Sequence, residues 1–128
     1  DMTYTQGLAK YGFKVTMSST ENGNSGTLDI IIGNGLQGDW KLYSSNKNSW
    51  KANLWHHIIV IHTGTMLMIY IDGQFHKGIQ NVQTLENHEQ FGYIGSGNWN
   101  QNLYLSTYQF YKNHIFNVQE IEQSYDPP

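Results

Sequence analysis

Three histidines lie in the most apolar stretch of the chain, LWHHIIVIHTGTMLMIYIDGQ, which begins at Leu54 and ends at Gln74. Imidazole nitrogens bind metals and transfer protons near neutral pH, so His56, His57 and His62 are the first candidates for chemistry. In a strand, His56 and His57 point to opposite faces, and His62 lies roughly 20 Å from His56. Because the three side chains cannot hold one metal ion, their spacing favours structural roles.

A second group of chemically useful residues lies in the stretch GSGNWNQNLY, Gly95 to Tyr104. Sugar recognition needs a flat aromatic face for the apolar side of a pyranose and polar groups for its hydroxyls. This loop supplies an indole, three amides and a phenol: Trp99, Asn98, Asn100, Asn102 and Tyr104. Two interpretations stay open. The loop binds carbohydrate with Trp99 as the stacking platform, or it is an Asn-rich loop whose Trp packs on the core.

The acidic residues form no catalytic pattern. Glycoside hydrolysis needs two carboxylates across the scissile bond, and the segment TLDIII carries only Asp29. The sequence has no Gly-x-Ser-x-Gly motif and no cysteine, so the usual serine and cysteine nucleophiles are not indicated either. We therefore expect no enzymatic activity. Oxygen ligands for calcium are present, but no spaced motif favours any of them. The candidates are Asp29, Asn34, Asp39, Asn98 and Asn100.

The composition excludes two kinds of partner. All the basic residues are lysines, the net charge is −3 and no basic cluster occurs, so nucleic acid binding is not expected. No apolar run approaches the ~18 residues of a membrane span, so membrane insertion is not expected. The chain of 128 residues is long enough for one domain with a core. Because it begins with Asp1, we expect this domain to be part of a larger protein.

Short apolar runs separated by Gly, Asn and Ser clusters predict an all-β domain spanning residues 1–128. The predicted strands are Tyr11–Ser18, Leu28–Ile32, Trp40–Ser45, a run from Trp50, Leu54–His62, Met66–Ile71, Gln74–Ile79, Phe91–Ile94 and Leu103–Tyr111. The Gly33-Asn34-Gly35 sequence is expected to end the second of these. One short helix is predicted after Asn117, which forms a capping-box pattern with Glu120. These elements predict an antiparallel jelly-roll sandwich of two sheets with one short C-terminal helix.

The central hairpin can be paired from its turns. With Thr63-Gly64-Thr65 as the loop, Ile61 lies opposite Leu67, and alternation places Trp55 and His57 on the same, core-facing side. His57 is then predicted to be a buried histidine with a hydrogen-bond partner, and His56 to lie opposite Asp72. The Asp-Gly pair at residues 72 and 73 predicts a two-residue type I′ turn.

A series of short motifs in this order resembles the laminin-G-like, concanavalin A-like lectin/glucanase superfamily. The motifs are W-x-H, Y-x-D-G, I-G, an aromatic strand and E-I-x-x-x-Y. They correspond to Trp55, His57, Tyr70, Asp72, Gly73, Ile94, Gly95, Tyr108, Phe110, Glu120, Ile121 and Tyr125. The resemblance covers the C-terminal two-thirds of the chain, and the N-terminal third fits it poorly. It implies a jelly-roll sandwich that binds carbohydrate or protein, often with calcium.

The function predicted on these grounds is that of a lectin-like, non-catalytic recognition module. Its expected partner is a glycan or a cell-surface receptor, and its expected location is extracellular, on a cell surface or on a virion.

An alternative follows from the central hairpin, both of whose faces are apolar. The face opposite the predicted core side must be covered by loops or by another chain. It carries Ile58, Val60, Met66, Met68 and Tyr70. Cover by another chain would indicate a homo-oligomeric assembly or receptor-binding domain, of a viral or phage spike or fibre or of a surface adhesin.

Overall fold

The structure is a computed structural model that describes residues 9–20, 23–37, 40–84 and 115–125. Within these ranges the chain forms two antiparallel sheets and one helix, so the all-β prediction is confirmed. The first sheet contains β1 (Ala9–Ser19), β2 (Ser25–Gln37), β3 (Trp40–Ser44) and β4 (Trp50–Lys51). The second contains β5 (Ile58–His62), β6 (Met66–Ile71) and β7 (Gln74–Gln80), and α1 is Val118–Ser124.

The long strand β2 organises the first sheet. It pairs with β1 on one side and with β3 on the other, and its first residues also pair with β4. The second sheet has the simple order β5-β6-β7. Its β6–β7 turn has Asp72 at φ +53° and Gly73 at φ +80°, which confirms the predicted type I′ geometry.

The core lies between the two sheets. From β2 it takes Leu28, Ile30 and Ile32, each 1% exposed, and from β6 it takes Leu67 and Ile69. Both sets alternate along their strands, so each sheet turns one apolar face inward. Each fully buried aliphatic side chain stabilises the fold by about 1.5–3 kcal/mol, which makes this inter-sheet layer the main source of stability.

Helix α1 begins at the predicted capping box. Asn117 Oδ1 accepts the Glu120 N–H at 2.9 Å, and Glu120 Oε1 accepts the Asn117 N–H at 3.1 Å. Ile121 is 1% exposed, so the helix is held to the rest of the chain by its apolar side. Within the described ranges, no helix has the length and apolarity needed to cross a membrane.

The largest differences from the predicted strand boundaries are at the end of β2 and at the start of β5. The Gly33-Asn34-Gly35 sequence does not end β2, which continues to Gln37 because β1 pairs with it beyond Gly33. In place of a strand from Leu54 to His62, β5 begins at Ile58. The predicted strands Phe91–Ile94 and Leu103–Tyr111 lie outside the described residues.

The predicted register of the central hairpin is wrong by one residue. Val60 pairs with Ile69 and Ile61 pairs with Met68, so the core face of β5 carries Ile58 and Val60. The reason lies in the turn. The Thr63 N–H donates to the Met66 carbonyl at 2.9 Å, so Thr63 and Met66 are paired and only residues 64 and 65 form the tip of the loop. A one-residue slip exchanges the two faces of a strand, and here it places Ile61 on the outer face.

Candidate functional site

The predicted sugar-binding loop lies outside the described residues. This applies to all of its members: Trp99, Asn98, Asn100, Asn102 and Tyr104. The candidate ligand Asp39 also lies outside them, as does the side chain of Asn34. The described part of the chain contains Asp29 and the predicted histidines, together with an exposed tryptophan and an inter-sheet junction that the sequence did not reveal.

Asp29 lies in the middle of β2, on the face turned away from the core. Its Oδ1 accepts hydrogen bonds from Thr27 Oγ1 at 3.1 Å and Ser44 Oγ at 2.8 Å, and its Oδ2 accepts one from Ser18 Oγ. These hydroxyls come from β1, β2 and β3, so a single carboxylate joins three strands. The spacing of Thr27 and Asp29 indicates a shared face, but the partners on β1 and β3 depend on a register that the sequence leaves open.

This arrangement does not fit a calcium site. Calcium takes six to eight oxygen ligands, commonly from several carboxylates. Asp29 instead has its carboxylate satisfied by hydroxyl donors, and no cluster of three metal-ligating side chains occurs among the described residues. Asp29 therefore acts as a cross-strand hydrogen-bond centre.

His56 and Asp72 form the junction between the β6–β7 turn and the segment that enters β5. His56 Nδ1 lies 3.0 Å from Asp72 Oδ2, so the predicted side-chain pair is present, although the backbone of Asp72 is hydrogen-bonded to His57 and not to His56. On the other side of the ring, His56 Nε2 accepts the Lys51 N–H at 3.1 Å. Asp72 Oδ1 also accepts the His57 N–H at 2.9 Å, and the Asp72 N–H donates to the His57 carbonyl at 2.8 Å, so Asp72 is hydrogen-bonded to both sides of the His57 backbone.

The prediction for His57 is wrong in two respects. The ring is only half-buried, and its buried Nδ1 has no hydrogen-bond partner among the described residues. It lies against Tyr125, with ring centroids 5.7 Å apart. The slipped register and the late start of β5 together take His57 out of the inter-sheet layer.

His62 has two ordinary structural partners. Its Nε2 donates to the Gln83 carbonyl at 2.8 Å, and its Nδ1 accepts the Gly64 N–H at 3.0 Å. Both ring nitrogens are therefore used by the backbone of the hairpin loop and of the segment after β7. This geometry supports the structural role that the spacing indicated.

A polar junction connects the two sheets at β7. Lys77 Nζ donates to the Ser44 carbonyl at 2.9 Å, and His76 Nε2 accepts the Asn46 N–H at 3.0 Å. Partial burial, and secondarily the charge of Lys77, lower the pKa of His76 below its usual value. An irregularity in the β6–β7 ladder lies at this position, and such bulges redirect side chains. No sequence motif marks this junction.

Trp50 in β4 and Trp55 in the segment between β4 and β5 have opposite environments. Trp50 is 8% exposed and its Nε1 donates to the Thr27 carbonyl at 3.0 Å. Trp55, predicted to face the core, is instead 61% exposed, and its neighbour Leu54 is 62% exposed. The sandwich thus uses one indole for packing and presents the other to solvent.

Comparison with known families identifies the fold. The sequence model described as the concanavalin A-like lectin/glucanases superfamily matches residues 4–113. The chain belongs to this superfamily. The match begins near the N-terminus, so the expected poor fit of the N-terminal third is wrong. It also shows that the superfamily pattern includes the first sheet as well as the central hairpin.

One solved structure is similar to this chain. It is a crystal structure of an S-layer domain-containing protein from Clostridium thermocellum, with 15% sequence identity and a TM-score of 0.47. The similarity covers 98% of this chain and 69% of that one. No curated protein sequence matches the chain.

Proposed function

We propose that this domain is a non-catalytic carbohydrate-binding module that recognises glycans outside the cell, on a cell surface or on a virion. The observation that carries the proposal is the superfamily match over residues 4–113, because it includes the Trp99 loop. That loop supplies the residue types that sugar recognition requires. Trp99 provides the stacking face, and the residues around it bind hydroxyls: Asn98, Asn100, Asn102 and Tyr104.

The absence of catalysis in this proposal is supported by the environment of Asp29. A glycosidase needs one carboxylic acid to donate a proton and a second carboxylate close by. The hydroxyls of Ser18, Thr27 and Ser44 all donate hydrogen bonds to the carboxylate of Asp29, so its oxygens already have partners within the sheet. The described acid on the other sheet, Asp72, is used by His56 and His57.

A glycan array with the whole chain tests the proposal. Wild type should bind, Trp99→Ala should lose at least about tenfold in apparent affinity, and Trp99→Phe should retain most of it because a stacking ring remains. Far-UV circular dichroism and the melting temperature must be unchanged in both variants. Repeating the array with EDTA separates calcium-dependent from calcium-independent binding. A Trp99→Ala variant that is folded and binds as wild type contradicts the assignment of Trp99.

A second candidate function is an assembly domain of a fibre or surface adhesin, and the outer face of the second sheet supports it only in part. Ile61 on that face is 6% exposed within a single chain, so part of the face is covered intramolecularly. Phe75, which contacts Tyr70 at a centroid distance of 5.5 Å, is still 59% exposed. Light scattering of wild type and Phe75→Ser tests this candidate, which requires an oligomer that the substitution weakens.

A further inference from the structure

The segment between β4 and β5 presents an indole to solvent on a fixed backbone. Trp55 is 61% exposed, although Trp50 in the preceding strand is buried. A tryptophan that contributes to folding is normally covered, and its N–H normally finds a partner, as that of Trp50 does. Trp55 therefore contributes little to the core.

Both ends of this segment are held in place. On the β4 side, the Ala52 N–H donates to the Asn24 carbonyl at 2.7 Å. On the β5 side, Asp72 receives His56 Nδ1 at 3.0 Å and the His57 N–H at 2.9 Å.

A hydrogen bond within the segment and a tight backbone turn also fix its conformation. The Lys51 N–H donates to His56 Nε2 at 3.1 Å and so closes the segment across its base. Asn53 has φ +63°, a left-handed conformation that asparagine tolerates better than most residues. The indole is consequently displayed by a backbone whose conformation is already fixed, which lowers the entropy cost of binding a ligand.

Two exposed polar residues lie close to Trp55 in sequence. The side chains of Lys51 and Asn53 are exposed and supply ammonium and amide groups for hydroxyls. An exposed aromatic ring together with a few exposed polar groups is the composition that a saccharide-binding surface needs. We propose that Trp55 is a second saccharide-stacking platform, separate in sequence from the Trp99 loop. This inference rests on the proposed carbohydrate-binding function.

The test uses the whole chain and a printed array of bacterial, plant and animal oligosaccharides. Trp55→Ala should lower the apparent affinity for the bound oligosaccharides by about tenfold, and Trp55→Phe should lower it much less. Leu54→Ala is the matched control, because Leu54 is equally exposed in the same segment but has no ring, and it should bind as wild type. The melting temperature of Trp55→Ala should stay unchanged, since the side chain is exposed.

Three results would overturn the inference, and each differs from a failure of the proposed function. If Trp55→Ala binds as wild type while Trp99→Ala loses binding, Trp55 is not a stacking platform, and the proposed function stands. If Trp55→Ala and Leu54→Ala lose the same affinity for oligosaccharides, the segment makes a general apolar contact with the ligand and the indole does not stack on a sugar. A concentration-dependent dimer of wild type that Trp55→Ala abolishes shows that a second copy covers the ring. If wild type binds no oligosaccharide at all, both proposals fail.

Discussion

Asp72 Oδ2 lies 3.0 Å from His56 Nδ1, while its Oδ1 accepts the His57 N–H at 2.9 Å. One side chain thereby joins the β6–β7 turn to the segment that carries Trp55. The backbone of Asp72 adds a second requirement, because its φ of +53° belongs to a type I′ turn that favours Asn, Asp and Gly. Asp72 is thus selected both by the turn and by the contacts of its carboxylate.

Substitutions at Asp72 should separate these two requirements. Asp72→Ala loses the side-chain hydrogen bonds and places an alanine at positive φ, so we expect about 2–4 kcal/mol less stability. Asp72→Asn keeps the turn preference and an oxygen for the His57 N–H, so the loss should be about 1 kcal/mol. Urea unfolding of the two variants measures the difference. Equal midpoints would show that neither the turn preference nor the oxygen that asparagine retains contributes to stability.

The sequence predicted the parts of this fold that depend on local chemistry. The Asp72-Gly73 turn and the Asn117–Glu120 capping box are set by residues within one turn of each other, and both are confirmed. Strand β6 was predicted with its observed bounds, Met66 and Ile71, because a glycine-containing loop and a turn delimit its apolar run.

The errors in the predicted structure arise where the alternation of apolar and polar residues does not distinguish the two faces of a strand, or where the contacts join distant residues. Both faces of β5 are apolar, so its pattern cannot distinguish a three-residue loop from the observed two-residue loop at Gly64 and Thr65. That slip moved the predicted core face from Val60 to Ile61 and contributed to the wrong environment for Trp55. The hydroxyls around Asp29 and the contact of Lys77 with Ser44 join residues distant in sequence. Neither follows from periodicity.

Lys77 should contribute measurably to the contact between the sheets. Its ammonium donates to the Ser44 carbonyl at 2.9 Å, so Lys77→Met, which keeps the length of the side chain, should cost about 1 kcal/mol. Lys51→Met is the control, since Lys51 is exposed, and its effect should stay within about 0.5 kcal/mol. Chemical denaturation measures both variants. A Lys77→Met variant as stable as the control would mean that this inter-sheet contact does not contribute.

His76 should make stability depend on pH. Burial, and then the charge of Lys77, lower the pKa of His76 in the folded state, so the unfolded chain binds the proton more readily. The neutral ring also accepts the Asn46 N–H, which a protonated ring cannot do. The contribution of His76 is therefore complete above the unfolded pKa of about 6.5 and decreases as the pH falls from there through the lower folded pKa.

The measurement is the melting temperature between about pH 7.5 and about pH 5, which spans the unfolded pKa of histidine. His76→Gln retains an acceptor for the Asn46 N–H but does not titrate, so it should lose less stability on acidification than wild type. If the melting temperatures of wild type and His76→Gln fall equally as the pH is lowered, groups other than His76 cause the acid sensitivity.

Gly73 should be less tolerant of substitution than Gly23, although both have positive φ, +80° and +74°. A Cβ at Gly73 would meet Tyr125 Cδ2 at 2.8 Å, whereas a Cβ at Gly23 would meet nothing within 4 Å. Gly23→Ala should therefore cost only the backbone term of about 1–2 kcal/mol, and Gly73→Ala should cost more. In a Tyr125→Ala background this difference should disappear. If it persists there, contact with Tyr125 is not its cause.

His57 should be replaceable by phenylalanine at no cost. Its Nδ1 is buried without a hydrogen-bond partner among the described residues, and a buried polar atom in this state costs about 1–3 kcal/mol. His57→Phe removes that atom and keeps a ring against Tyr125, whose centroid lies 5.7 Å away. We therefore expect stability equal to wild type or up to about 1 kcal/mol higher, since the ring is only half-buried.

His57→Ala removes the ring as well and should lower stability by about 1 kcal/mol through the lost aromatic contact. Thermal and urea unfolding of the two variants decide the matter. A His57→Phe variant that is as destabilised as His57→Ala would show that the imidazole nitrogen has a partner that stabilises the fold.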